Sequence, residues 1–203
     1  MSFISLNFVV LFACTFILYH TLPSRFRKAT LLTASCLFIG FYHLAFLITA
    51  LILTLTTFYL GKWIGQAKRE SGMKGIYFSG VCFLVVSWLA FRYADRLTNC
   101  HILFPLGISF YTFQAISYLT EIYWQEEEPE KSLPDFMIYM LFFMKFLSGP
   151  IERASDMLPQ LKSCKATDYT SMVYGMRLIV VGLIKKLILA DSIAPYKIGR
   201  AHV

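Results

Sequence analysis

Charge is the scarcest commodity in this chain: only 15% of its 203 residues are Asp, Glu, Lys or Arg, against 57% hydrophobic residues. Soluble domains carry about a quarter charged residues, so this composition excludes an ordinary soluble fold. No basic residue precedes the first apolar segment and no small-residue cleavage site follows it, which argues against a cleaved signal peptide. Cysteine pairs are missing too. Cys14, Cys36, Cys82, Cys100 and Cys164 contain no Cys-x-x-Cys spacing, so neither a disulfide framework nor a metal site is expected, and buried free thiols are the plain reading. The net charge of +7 does not point to nucleic acid, because the basic residues sit in short loops between apolar segments. That placement is the positive-inside pattern of a membrane protein.

What is present is a series of apolar runs, and it predicts an all-α, polytopic transmembrane protein. Residues 3–20 are uncharged and just long enough to cross a bilayer. Residues 29–61 carry no charge at all and are too long for one span, so two helices, 29–42 and 44–61, are expected with a turn near IGFYH, residues 39–43. A single long tilted helix is the alternative. Further spans are expected at 75–91 and 102–120. The basic loops after the first and third spans place both on the cytoplasmic side and the N-terminus outside. Segments 136–150 and 171–190 are short or interrupted by Lys145, Arg177, Lys185 and Lys186, a pattern suited to re-entrant or interfacial helices.

Two stretches stand out chemically. In FPLGISFYTFQAISYL, residues 104–119, helical spacing puts Tyr111, Gln114 and Tyr118 on one face, with Ser109 adding a hydroxyl. Polar groups in hydrocarbon need partners, so this face meets either neighbouring helices or a cavity. In KFLSGPIERASDMLPQL, residues 145–161, Gly149-Pro150 end an apolar run and Glu152-Arg153 follow at once. A solvated turn with a weak ion pair and a paired, partly buried site are both open on spacing alone.

These stretches carry a resemblance. FPLGISFYTFQAISYLTEIYW resembles the signature of the membrane-bound O-acyltransferase (MBOAT) superfamily, in the branch that modifies bacterial envelope polymers: alginate and peptidoglycan O-acetyltransferases, with the D-alanyl transfer protein of teichoic acids as a cousin. KFLSGPIERASDMLPQL is similar to the same branch's Gly-Pro-Ile-x-Arg and Leu-Pro-Gln-Leu segment. GMRLIVVGLIKKLILADSIAPY, residues 175–196, is similar to the helix that follows it.

The resemblance implies a partial MBOAT fold in the bacterial inner membrane and transfer of an acyl group, acetyl foremost, onto hydroxyls of an exported polysaccharide. It implies acetyl-CoA or an acyl carrier as donor, no permanently bound cofactor, membrane lipid as surroundings, and a periplasmic partner acyltransferase. Ser109, Tyr111, Gln114, Tyr118, Gly149, Pro150, Glu152 and Arg153 are then expected to line a membrane-embedded funnel. D-alanyl transfer and a non-enzymatic transporter or channel subunit are the competing readings. The family's catalytic histidine lies downstream of the Ala-Asp-x-x-Ala-Pro piece, and none of His20, His43, His101 and His202 matches its position. No catalytic residue is therefore expected within these 203 residues. The final IGRAHV, 198–203, reads like a translated sequencing adapter, so the chain is expected to be an N-terminal fragment, inactive alone, with a non-native tail.

Overall fold

The computed structural model describes residues 6–67, 69–98, 107–146, 149, 151–163 and 168–190. Two expectations fall outside these residues: Pro150 and the 198–203 tail. All regular structure among the described residues is helical, as the apolar runs require. The chain forms two units, residues 1–164 and 165–203.

The first unit begins with a helical hairpin, α1 (Leu6–Thr21) and α2 (Ser24–Tyr42), turned by Pro23. Only one residue separates α2 from α3 (Leu44–Gln66). His43 is extended there, at φ −168° and ψ 133°; its N–H donates to the Ile39 carbonyl and its Nδ1 accepts from the Ala45 N–H at 3.4 Å. One imidazole thus caps the second helix while its backbone closes the first. Helix α3 runs on through Lys62, whose ammonium lies 4.3 Å from the Phe58 ring centroid, a cation–π contact that lets the charge ride an apolar helix. Helix α4 (Glu70–Thr98) follows. Two helices are long and apolar enough to cross a membrane, Leu44–Gln66 and Glu70–Tyr93, with Asn7–Thr21 a shorter apolar helix.

Helix α5 (Ile108–Tyr123) packs against both α3 and α4 and is the centre of the unit. Gly107 starts it in the left-handed region, at φ 72°, and a Cβ there would run into the Phe146 carbonyl, so both backbone and space demand glycine. On α3, Gly61 lies under α5: a Cβ would come within 2.7 Å of a ring carbon of Tyr118. A small residue at that crossing is what lets the two backbones approach.

Helix α6 (Leu133–Leu141) opens with Pro134 in its first turn and Ser132 as its cap, the Ser132 Oγ accepting the Asp135 N–H at 3.5 Å. Proline is harmless in that turn because its missing N–H has no helical partner to lose. The helix breaks at Phe142, and a single turn, α7 (Phe143–Phe146), follows before α8 (Ala154–Ser163). The core gathers around an aromatic group from three helices, with the Tyr118 and Phe136 rings 4.6 Å apart and Phe58 5.4 Å from Phe136.

The second unit consists of α9 (Tyr169–Ile184), continued by a wider π-helical turn over Lys185–Ala190. None of the α9 side chains is buried, and large apolar groups such as Tyr174, Met176 and Ile179 stand open.

Candidate functional site

The break between α6 and α7 organises the polar interior. In an unbroken helix the Phe143 N–H would donate to the Tyr139 carbonyl. The extended backbone at Phe142, φ −52° and ψ 115°, separates that pair, and both orphans are buried. Each is taken by a side chain: Gln114 Nε2 donates to the Tyr139 carbonyl at 2.8 Å, and the Phe143 N–H donates to Ser35 Oγ at 3.2 Å. Irregular backbone survives in a membrane protein only where such partners exist.

From the break the polar groups continue toward Glu152. The Tyr139 hydroxyl donates to the Glu152 carbonyl at 3.0 Å. Lys145, on α7, is 7% exposed; its ammonium donates to Glu152 Oε2 at 3.2 Å, contacts Met157 Sδ at 3.1 Å and lies 4.6 Å from the Tyr139 ring centroid. The Glu-Arg pair after Gly-Pro therefore does not pair with itself. Glu152 turns to Lys145, while the exposed Arg153 begins α8 by accepting the Asp156 and Met157 N–H groups on its carbonyl. Gly149 lies against Lys145, where a Cβ would sit 2.5 Å from its Cα.

Glu152 also borders a cavity of about 430 Å³, whose other walls include Tyr19, Arg27, Lys28, Phe142 and Asp156. Lys28 reaches across to Asp135 on α6, Nζ to Oδ1 at 2.7 Å. Of the residues expected to line a funnel, Glu152 alone among the described residues borders this cavity. Tyr111, Gln114 and Tyr118 share one face as their spacing predicts, and that face is enclosed by protein: they are 3%, 5% and 0% exposed. Tyr111 stacks on Phe146 at 5.3 Å, and the Tyr118 hydroxyl accepts the Glu130 N–H at 3.0 Å. Ser109 stands apart, accepting from Trp88 Nε1 at 2.9 Å.

Three buried carboxylates escaped sequence reasoning: Asp135, the partner of Lys28, Glu130 and Glu121. Glu130 is 4% exposed; its Oε1 accepts the Lys131 and Ser132 N–H groups, both at 2.9 Å, and its Oε2 meets Lys162 of α8 at 2.6 Å. Hydrogen bonding to Glu130 and its charge raise the Lys162 ammonium above its ordinary value. Glu121 lies one residue past the 102–120 apolar span and accepts from Ser117 at 3.2 Å. Burial pushes its carboxyl up, opposed by the Ser117 hydroxyl, the first N–H groups of α8 and the Arg153 charge. Their only signal in the sequence was an acidic run beside an apolar segment, which does not tell which carboxylate turns inward.

The histidines within the described residues serve the backbone. His43 caps α3, and the His20 ring contacts the Phe16 carbonyl at 2.9 Å through Nδ1. Among the described residues no three His, Cys, Asp or Glu side chains cluster as a metal site.

A buried polar line behind a charged cavity, set in an all-helical membrane body, fits the class to which the motifs point, and the relatives of this chain lie in that class: they are MBOAT-type acyltransferases. A protein of Azotobacter vinelandii named "Probable alginate O-acetylase AlgI" is 31% identical over 96% of this chain and 42% of its own length. Its namesake in Pseudomonas aeruginosa is 30% identical over 96% of this chain and 41% of its own. The "Peptidoglycan O-acetyltransferase" of Helicobacter pylori is 25% identical over 84% of this chain and 40% of its own. The chain thus spans well under half of the curated relatives it matches. No family model matches it, and no solved structure does.

Proposed function

We propose that the protein of which this chain forms part transfers an acyl group, acetyl in the first instance, to hydroxyls of an exported cell-envelope polysaccharide. The observation that carries the reading is the similarity to named O-acetylating enzymes along 96% of this chain. The donor is acetyl-CoA or an acyl carrier on the cytoplasmic side, the protein is multi-pass in the bacterial inner membrane, and a periplasmic acyltransferase completes delivery.

Within that reaction this segment supports and does not supply the chemistry. Glu152, at the cavity wall and paired with Lys145, shapes the mouth of the funnel. Gln114 acts behind it, holding the α6–α7 break that aims Tyr139 and Lys145 at Glu152. Tyr111 and Tyr118 fix the α5 face against that break, and Gly149 packs onto Lys145 beyond it. None of the four histidines is assigned the role of base.

The test is deletion of the gene from its source bacterium, followed by mild alkaline release of ester-linked groups from the envelope polysaccharide. Loss of released acetate, restored by the full-length gene, is the expected result. Loss of released alanine instead would move the assignment to D-alanyl transfer. Unchanged esters would overturn it.

A further inference from the structure

A groove runs along the outer seam of α1 and α2. It consists of two adjoining apolar depressions of about 410 and 440 Å³ that share Leu11, Cys14 and Leu37, one reaching Phe41 and the other Phe26. The hydroxyls of Thr15 and Thr30, which border it, are turned back onto the Leu11 and Phe26 carbonyls at 2.7 and 3.0 Å. The groove therefore presents little but hydrocarbon. Its lining extends from Asn7 to Leu22 along the first helix, roughly 22 Å at 1.5 Å per residue. That exceeds the roughly 15 Å depth of one leaflet in a hydrocarbon core of about 30 Å.

The two ends differ. At the Phe26 end the Arg25 guanidinium lies 4.7 Å from the centroid of the Phe26 ring, itself part of the lining. Arg27 turns the other way, over the Tyr19 ring at 5.3 Å and into the wall of the Glu152 cavity. Arg25 has no ion pair among the described residues, whereas Lys28 is held by Asp135. The first 69 residues contain no Asp or Glu, so neither helix can neutralise this guanidinium or receive an ammonium. An apolar slot with an uncompensated cation at one end is complementary to a lipid with a net negative headgroup.

We propose that the α1–α2 groove binds one acyl chain of an anionic phospholipid of the cytoplasmic leaflet, with its phosphate held by Arg25 at the mouth. The proposal is independent of the acyl-transfer reading.

The full-length protein, stripped of lipid in detergent, is offered phosphatidylglycerol and phosphatidylcholine with matched chains, and the retained lipid is read by native mass spectrometry. Wild type is expected to retain one phosphatidylglycerol in preference to phosphatidylcholine. Arg25→Gln is expected to reduce that preference on the order of fivefold, the worth of one surface cation near anionic lipid. Leu37→Trp, at a side chain already 61% exposed and so without a packing role to lose, is expected to fill the groove and abolish retention of both lipids. A Val86→Trp control on the open face of α4 is expected to leave retention unchanged. Equal retention of the two lipids, or retention indifferent to Leu37→Trp, overturns the proposal. So does a photo-crosslinker at Leu37 that captures another segment of the chain or a second copy in place of lipid.

Discussion

Removing Gln114 and Ser35 together should cost less than the sum of removing each. Both side chains are buried, at 5% and 0% exposure, and each serves one of two backbone groups that a regular helix would have joined to one another. Gln114→Leu leaves the Tyr139 carbonyl without its donor; Ser35→Ala leaves the Phe143 N–H without its acceptor. An orphaned buried backbone group costs about 1–2 kcal/mol in this setting. For a unit of this size each kcal/mol corresponds to about 2–4 °C in Tm.

In the double variant the two orphans can satisfy each other if Phe142 relaxes to helical dihedrals. Its total loss should then resemble that of one single variant, a coupling of about 1 kcal/mol. The measurement is a double-mutant cycle by thermal unfolding in detergent. Additive losses, or single losses below about 0.5 kcal/mol, which is no more than an ordinary surface change, would refute the claim that these side chains hold the break. The relaxed double variant should also turn Lys145 away from Glu152.

Two further outcomes follow from the packing. Gly61→Ala places a methyl 2.7 Å from the Tyr118 ring, whose hydroxyl is tied to Glu130; unable to yield freely, it should destabilise by about 1–3 kcal/mol in the same melting assay. Glu121 titrates above its ordinary value of 4.5 because it is buried. A raised carboxyl contributes stability that is fully present below the unfolded pKa and lost as pH rises through the folded value. Stability should therefore decline from about pH 4.5 upward relative to Glu121→Gln, and parallel pH–Tm curves for the two proteins would refute that assignment.

Much of the architecture could be read from the sequence because hydrocarbon imposes one-dimensional rules. An uncharged run must be helical in lipid, and the 111, 114, 118 spacing identifies a shared face whatever surrounds it. The signature stretches likewise pointed to the acyltransferases among which the relatives lie. Spacing does not encode what a face meets. Ser35 and Phe143 are 108 residues apart, Lys28 and Asp135 107, and only folding brings them together. The same limit applied to KFLSGPIERASDMLPQL: adjacent opposite charges suggested a mutual pair, yet Glu152 turns to a lysine one helix turn before the Gly-Pro step. The acidic run was equally silent about which glutamate would be enclosed.

The link between α5 and α6 looks, on paper, like an inviting place to splice in a reporter, being polar and rich in glutamate. Glu130 makes it the opposite. Its backbone is held by Tyr118, its carboxylate spans two neighbouring amides and a lysine from α8, and Pro129 is wedged onto Gly65 of α3. A tag threaded there would unfasten three helices at once. Anyone labelling this protein to follow its assembly should leave that turn intact.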